Sequence, residues 1–371
     1  MKYKMGDVEI DEAKPHTIKK FELIEEYVKS WAQKLLNYSE CTEIIFIDCM
    51  CNSGIYLNQK GKEVYGTPIR ISNVLAEVMK QYPKKKARVY LNDFSNKKID
   101  LLKTKLPSNA PNFEIITSCG DGNDLLKQIA TELSNQSKYH YLLVYDPYKA
   151  ELDWNAIEPF LNCWGEVIIN HMLSDSIRGV SLARRDDVIE RYEQTYLTDI
   201  RELISFGSDR KAFENKIEEI ISLLKQNTYG KYYIAVFPFF NSKNALVYNL
   251  VFCTNNINGL KLFKKTAWKT FGGKSSMKDT HGDENQLFFN FEENTIAKKT
   301  DEYCYNVDDI VDYVQNRFLG QQNVALNDIW RFLDVHPVFP ADGYKTEIKK
   351  GLKKVYGDVI GKKTISFTDR R

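Results

Sequence analysis

Acidic side chains follow four apolar runs in the first half of the chain, each where a strand is predicted to end. These residues are Asp48, Asp93, Asp121 and Asp146. The preceding runs are rich in Ile, Val, Leu and Tyr, which is typical of strands that are buried on both faces. Parallel strands end at one edge of a sheet, where open α/β folds bind their ligands. We therefore expect the four carboxylates to gather around one ligand.

The first of these acids opens a turn of mostly small residues. After Asp48 the chain continues through Cys49, Met50, Cys51, Asn52, Ser53 and Gly54. Small side chains let the backbone approach a ligand and point its N–H groups at it. Asn52 stands where such turns usually repeat glycine, and asparagine tolerates positive φ less readily. The turn is predicted to bind a nucleotide-like cofactor, with a purely structural turn as the alternative.

The second and third acids each have a binding and a structural interpretation. Asp93 is suited to hydrogen-bond the two vicinal hydroxyls of a ribose, or it belongs to a helix N-cap region. Asp121, between two glycines, could face an adenine amino group, while Asp124 could cap the helix that follows. Both interpretations of this third stretch can hold together.

A further candidate group lies where the fourth and fifth predicted strands end. Asp146 and the Pro147 carbonyl can accept hydrogen bonds from an amine, and Tyr148 offers a ring for stacking. The alternative is a turn whose aspartate caps another element. The fifth strand brings Asn170 and His171 to the same edge, where His171 is either a base or a histidine satisfied by the sheet rim.

Amphipathic segments separate these strands. Helical spacing of apolar residues predicts helices over residues 16–38, 69–82, 96–106, 125–133 and 154–164. Strands alternating with helices predict an α/β fold with a doubly wound parallel sheet. A hairpin of residues 232–240 and 245–254 would complete the sheet. Residues from about 176 to 230 are charged and helical in period, which predicts a helical insertion over the cleft, or else a solvated helical face.

The composition is that of an ordinary globular protein. The chain has 371 residues, 43% hydrophobic and 27% charged, with a formal charge of +2, so disordered and fibrous classes are excluded. Seven cysteines without a C-x-x-C pair indicate a reducing compartment and no metal site. No secretion signal and no apolar run near the length of a membrane span is present. We expect a cytoplasmic protein without membrane contact.

Two basic segments lie towards the carboxyl end. Lys261–Lys278 contains six lysines and no acid, interleaved with Phe263, Trp268 and Phe271, which favours a nucleic-acid surface, with a solvated loop as the alternative. Three short amphipathic helices over 307–318, 326–333 and 345–356, then a strand at 364–367, predict a winged helix-turn-helix. Residues 345–371 hold nine basic and three acidic residues, so 9 − 3 = +6, and the rest of the chain carries −4. This concentration of charge favours nucleic-acid contact.

Several of these motifs resemble those of the three-Cys-motif partner proteins, a bacterial and phage-borne family. The matching stretches are Ile45–Tyr56, Tyr65–Pro68, Cys119–Asn123, Val144–Tyr148 with Asp153 and Trp154, and Glu166–Asn170 followed by Arg178. The order of elements also matches the Rossmann-like, seven-stranded sheet of class I S-adenosylmethionine-dependent methyltransferases, on which this family is built. The resemblance implies a methyltransferase-like domain over 1–257, a connector over 258–305 and a winged helix domain over 306–371.

The resemblance also implies roles for the candidate residues. Residues 48–54 would hold the methionine end of S-adenosylmethionine, Asp93 its ribose and Asp121 its adenine. Asp146, Pro147, Tyr148 and Asn170 would face the methyl acceptor, with the amino group of a nucleic-acid base favoured. The alternative, favoured by Asn52, is a catalytically silent nucleic-acid-binding or adaptor subunit of a partner enzyme, such as a three-Cys-motif protein in a phage-borne or phage-defence system.

Overall fold

A computed structural model describes residues 2–134, 138–147, 152–162, 164–171, 221–222, 224–226, 228, 230–240, 246–278, 287–290, 295–298, 304–356 and 363–367. The helices are α1 (Pro15–Leu36), α2 (Thr67–Met79), α3 (Asn96–Lys103), α4 (Gly122–Ser134), α5 (Trp154–Leu161), α6 (Ile257–Thr270), α7 (Val307–Phe318), α8 (Leu326–Asp334) and α9 (Lys345–Tyr356). The strands are β1 (Lys2–Met5), β2 (Val8–Asp11), β3 (Glu43–Asp48), β4 (Ile55–Leu57), β5 (Glu63–Tyr65), β6 (Lys86–Asp93), β7 (Phe113–Cys119), β8 (Tyr139–Tyr145), β9 (Gly165–His171), β10 (Tyr233–Phe240), β11 (Leu246–Thr254), β12 (Met277–Lys278), β13 (Leu287–Asn290), β14 (Thr295–Lys298), β15 (Val324–Ala325) and β16 (Thr364–Ile365).

The central sheet is mostly parallel. Its strands lie in the order β12-β10-β11-β9-β8-β3-β6-β7. β3, β6, β7, β8 and β9 pair in parallel, whereas β11 runs antiparallel to both β9 and β10. Apart from the two-residue β12, this is a seven-stranded sheet with helices between its parallel strands and one reversed strand, consistent with the Rossmann-like methyltransferase fold. The predicted hairpin that completes the sheet is present as β10 and β11.

The strand order creates a switch point in the middle of the sheet. The chain runs outward from β3 through β6 and β7, then returns to the other side of β3 for β8 and β9. β3 is buried almost throughout, and β8 and β9 throughout, as expected of strands covered on both faces. A crevice forms outside the carboxyl ends of two strands that lead in opposite directions. The ends of β3 and β8 therefore mark the expected ligand position.

Helix α1 covers one face of the sheet and packs on α2 and α6. It begins with Pro15 at its first turn, where the missing N–H costs no hydrogen bond. Its buried side includes His16, Lys20, Ile24 and Val28, spaced four residues apart. A lysine is thus carried into the interior, directly above the sheet.

The aromatic residues of the lysine-rich segment Lys261–Lys278 are buried, so they do not form the stacking surface that its composition suggests. Most of it forms α6, in which Phe263 and Trp268 have no exposed surface and Phe271 is 8% exposed. Phe263 stacks on Phe252 of the sheet, and Trp268 donates to the Val338 carbonyl. The aromatic rings belong to the core and cannot stack on a base.

The C-terminal region has the three predicted helices α7, α8 and α9, with β15 and β16 paired antiparallel beside them. Residues 357–362, where a wing would continue, lie outside the described part of the chain, so the winged helix stays a prediction. The predicted helical insertion over 176–230 also lies almost wholly outside the described residues. Among the helices that are described, none is long and apolar enough to cross a membrane.

Candidate active site at the carboxyl edge of the sheet

Two carboxylates flank the switch point, one buried and one partly exposed. Asp48 ends β3 and pairs in register with Val144 of β8, so Asp146 follows two residues beyond that pair. Asp48 is 3% exposed. Burial, and then the charge of Asp146, raise its pKa to about 7, although the Met50 N–H and Lys20 act in the opposite direction. Negative charge is thus concentrated where a cationic ligand would bind.

Asp146 is held from both sides. One carboxylate oxygen accepts a 2.6 Å hydrogen bond from the Lys20 Nζ of α1, and the other accepts one of 2.6 Å from the Asn170 Nδ2 of β9. The amide orientation of Asn170 follows from this contact, because its Oδ1 would repel the carboxylate. Asn170 Oδ1 consequently points elsewhere, is buried, and accepts no hydrogen bond from the residues that the structure describes.

Asn52 takes the backbone conformation that a glycine would supply. Its φ is +58°, in the left-handed region that asparagine tolerates better than most residues. The Asp93 carboxylate accepts from its N–H at 3.1 Å, its Oδ1 accepts from the Ser53 N–H at 2.7 Å, and its Nδ2 donates to Asp11 at 3.4 Å. The asparagine therefore holds the turn in place with three hydrogen bonds.

Glycines let other elements close on this turn. Gly54 has a φ of +66°, and a Cβ there would come within 2.9 Å of Leu102. A Cβ on Gly122, at the start of α4, would lie 2.5 Å from the Cys49 carbonyl oxygen. The N-terminus of α4 and the backbone of the turn are thus so close that a side chain at position 122 would not fit between them.

The cysteines of the turn take part through their backbone. Cys49 and Cys51 are 2% and 3% exposed, and burial raises the pKa of both thiols. A buried neutral thiol is a poor nucleophile and a poor metal ligand. Within the described ranges, no group of three or more His, Cys, Asp or Glu side chains could hold a metal ion.

Asp93 shapes the turn before it can bind anything else. It is 2% exposed, and its two oxygens accept from the N–H groups of Asn52 and Ser95. Ser95, not Asp93, is the N-cap residue of α3. Phe94, the next residue, is 78% exposed at the same edge of the sheet. Sequence reasoning passed over this aromatic ring, although a large apolar residue directly after a strand-end acid was visible.

Asp121 caps helix α4 itself. Its Oδ1 accepts from the backbone N–H groups of Asn123 and Asp124, at 2.8 and 3.2 Å. Asp124 lies in the first turn of α4, which begins three residues earlier than predicted. The side chain of Asp121 is exposed and remains available to a ligand.

The remaining predicted residues divide between described and undescribed parts of the chain. Pro147 is buried beside Asp146, whereas Tyr148 and Arg178 fall outside the described residues. His171 is 4% exposed, and burial lowers its pKa to about 4. Such a histidine is neutral at physiological pH and lies inside the sheet, which favours the interpretation as a rim residue over that as a base.

Lys20 and Tyr56 were also missed by sequence reasoning. Burial, and then the charges of Asp146, Asp48 and Asp11, raise the pKa of Tyr56. The available signal for Lys20 was its position on the apolar side of α1. A lysine there is costly to bury unless an acid pairs with it.

A scan against protein-family models finds no match for this chain. A search of curated proteins by sequence finds no match either. Among solved structures, the chain is similar to protein LPL1258 from Legionella pneumophila, with 12% identity, 70% of this chain and 93% of that one covered, and a TM-score of 0.39. It is also similar to human methyltransferase-like protein 13 in complex with SAH (10% identity, 69% and 92% covered, TM-score 0.33) and to loganic acid methyltransferase with SAH (12%, 72% and 87%, TM-score 0.27). These likenesses are too distant to carry an argument about function, which depends on the site itself.

Proposed function

We propose that this protein is an S-adenosylmethionine-dependent methyltransferase that acts on or with nucleic acid, with the amino group of a base as the favoured acceptor. The observation that carries the proposal is the pair of carboxylates at the switch point. Asp48 ends β3 beside a turn of left-handed Asn52 and Gly54, and Asp146 ends the neighbouring strand with a proline behind it. This is where an open α/β sheet binds its ligand.

The residues present fit S-adenosylmethionine. The turn over 48–54 and the buried Asp48 suit the charged amino-acid end, Asp93 suits the ribose, and the exposed ring of Phe94 with Asp121 suits the adenine. When bound, the cofactor supplies an electrophilic methyl group on a sulfonium.

The chain's own contribution is to bind and to orient. Asp146 and the Pro147 carbonyl would accept hydrogen bonds from the two N–H groups of an acceptor amine, which directs the nitrogen lone pair at the methyl group. Asn170 keeps the Asp146 carboxylate from rotating. Positioning of this kind can supply most of the rate enhancement of a simple transfer.

The nucleic-acid part of the proposal is supported by helix α9. Ile348 and Leu352 on its inner side are buried, while Lys350, Lys353 and Lys354 are exposed on its outer side. These three lysines form a basic surface on which a phosphate backbone could lie.

Calorimetry with S-adenosylmethionine tests the proposal. We expect micromolar binding to the full chain, lost in Asp48→Ala and Asp93→Ala and retained in Asp100→Ala, which removes an exposed carboxylate of α3. No binding at millimolar ligand, with or without nucleic acid, would overturn the enzyme and leave the adaptor subunit as the function.

A further inference from the structure

The acceptor side of the proposed site contains a positive charge from a residue that is distant in sequence. Lys20 lies 126 residues before Asp146 in the chain, yet its Nζ is 2.6 Å from an Asp146 oxygen. The Lys20 side chain is 8% exposed and that of Asp146 is 30% exposed. The pair therefore lies at the wall of the cleft, with the lysine inside and the carboxylate at the opening.

Lys20 is fixed in this place by its surroundings. It lies over the ring of Tyr248, at 5.3 Å from the ring centroid, and the Tyr248 hydroxyl donates to the His16 carbonyl one turn earlier in α1. Contact with an aromatic face and with a carboxylate stabilises the cation in this position. The lysine is thus a built part of the site rather than a surface side chain that happens to approach it.

The charges around this pair can be counted. The carboxylates of Asp93 and Asp11 accept hydrogen bonds from Asn52 of the turn, and the charges of Asp146 and Asp93 both raise the pKa of Asp48. Among the described residues that contact Asp146, Lys20 supplies the cation. It offsets the charge of Asp146 where an acceptor would meet that carboxylate.

We propose that Lys20 is a specificity-determining residue, which neutralises Asp146 so that the acceptor subsite takes an uncharged amino group rather than an alkylammonium. This inference rests on the proposed methyltransferase function. An unpaired carboxylate at the wall of the cleft would attract any ammonium ion. A carboxylate that is paired with lysine can still accept a hydrogen bond, while the pair as a whole carries no net charge. The exocyclic amine of a base is an uncharged hydrogen-bond donor and suits this pair, whereas a lysine side chain or a polyamine is charged and does not.

The test compares ligands that differ by one positive charge. S-adenosylmethionine carries a sulfonium that S-adenosylhomocysteine lacks, and sinefungin carries an amine in place of the transferable methyl group. Calorimetry on the full chain gives the affinity of each relative to S-adenosylhomocysteine. In Lys20→Met, both charged ligands should gain about tenfold over S-adenosylhomocysteine, because one nearby positive charge is gone. Butylamine, an ammonium at neutral pH, should then compete with sinefungin in this variant and not in the wild type.

Two further variants make the result decisive. Asp146→Asn leaves Lys20 without its partner, so the same ratios should fall about tenfold, opposite in sign to Lys20→Met. Lys19→Met is the matched control, since Lys19 pairs with Glu22 at 2.7 Å on the outer side of α1. It should leave the ratios unchanged. If Lys20→Met does not fold, Lys20→Gln, which keeps a hydrogen-bond donor for Asp146 without the positive charge, serves the same comparison and should give the same gain.

The outcomes separate the two proposals. Suppose that the wild type binds all three ligands and that the affinities of the charged ligands relative to S-adenosylhomocysteine are the same in Lys20→Met, Asp146→Asn and Lys19→Met. This result would overturn the role of Lys20 and leave the proposed methyltransferase function intact. Equal weakening of charged and uncharged ligands would assign Lys20 a merely structural role, which also overturns the inference. Failure of the wild type to bind any of the three would overturn the proposed function, and this inference with it.

Discussion

At the scale of single residues, the site concentrates negative charge at the cost of stability. Asp48 is a buried acid whose pKa is raised from 3.8 to about 7, mainly by burial and by the charge of Asp146. In the unfolded chain the Asp48 carboxyl group loses its proton near the ordinary pKa of an aspartate. Between the two pKa values the unfolded state therefore binds fewer protons than the folded state, and the free energy of unfolding falls as pH rises from about 4 to about 7.

The substitution Asp48→Asn should remove this pH-dependent loss. An amide can still accept the 3.3 Å bond from the Met50 N–H, and it cannot ionise. Relative to the wild type, the variant should gain on the order of 3 kcal/mol in free energy of unfolding between about pH 4 and about pH 8, measured by urea denaturation. It should also bind S-adenosylmethionine more weakly, as expected when a functional site is not the most stable arrangement.

The control for this prediction is an exposed acid, Asp100 of α3. Asp100→Asn should leave the difference from the wild type the same at both pH values. A pH-independent difference in Asp48→Asn as well would show that Asp48 is already ionised at low pH in the folded chain, and the charge argument for the site would fail. Glu166, whose pKa is also raised to about 7, is present in every variant and cancels in the comparison.

At the scale of elements, α6 joins the sheet to the C-terminal region through one buried lysine. Lys264 has no exposed surface, and its Nζ, with three N–H groups to donate, lies 2.8 to 2.9 Å from four carbonyl oxygens, those of Leu333, Asp334, His336 and Phe339. Two of these carbonyls, those of Leu333 and Asp334, end α8, where the last turn of a helix lacks intrahelical donors; the Leu333 carbonyl also accepts from the His336 N–H at 3.1 Å. The lysine thus closes the end of α8 and binds the loop after it.

Replacing Lys264 should loosen this junction. In Lys264→Met the four carbonyls lose their buried donor, so we expect a loss of about 3 to 5 kcal/mol in free energy of unfolding. Limited proteolysis should then cut between α6 and α7 at protease levels that leave the wild type intact. Lys265→Met, at the exposed neighbouring position, is the matched control and should match the wild type in both measurements. Equal behaviour of the two variants would contradict the role assigned to Lys264.

At the scale of the whole molecule, three exposed lysines of α9 form a basic surface, at Lys350, Lys353 and Lys354. The proposed function therefore predicts that the triple variant Lys350→Gln, Lys353→Gln, Lys354→Gln binds duplex nucleic acid more weakly. The slope of log affinity against log salt should fall by about 1 for each lysine that contacts a phosphate.

Fluorescence anisotropy with a labelled duplex at several salt concentrations measures both quantities. The control is a triple glutamine variant at Lys84, Lys86 and Lys103, three exposed lysines near the parallel strands. Unchanged affinity and slope in the α9 variant would remove nucleic acid as a partner of this helix. S-adenosylmethionine binding, measured in the same variants, should be unaffected.

Much of the fold follows from local pattern. Apolar runs ending in Asp48, Asp93 and Asp146 predicted the central strands, since a strand buried on both faces must be apolar almost throughout. Helical spacing predicted α1 through α5, with errors at the ends such as the early start of α4 at Gly122. Those ends depend on capping contacts, here the Asp121 carboxylate, which apolar periodicity does not contain.

Local composition misled where burial was at issue. The lysines of α6 suggested a nucleic-acid surface, but the spacing of Leu260, Phe263 and Ala267 by three and four residues was the stronger signal for the position of the aromatic rings. Composition counts the residues of all sides of a helix together, whereas only the residues of one side are buried in the core. Helical periodicity, applied to this segment as it was to α1, predicts the buried rings that the structure contains.

The site depends on contacts that no local pattern encodes. The strand-end acids, the small-residue turn and the proline after Asp146 can be read along the chain, because backbone chemistry and strand period act over a few residues. The pairing of Asp146 with Lys20 and Asn170 required the packing of α1 on the sheet and the adjacency of β8 and β9. Contacts between distant segments depend on how whole helices and strands pack together. The pairing of charges in the site could therefore be seen only in the folded chain.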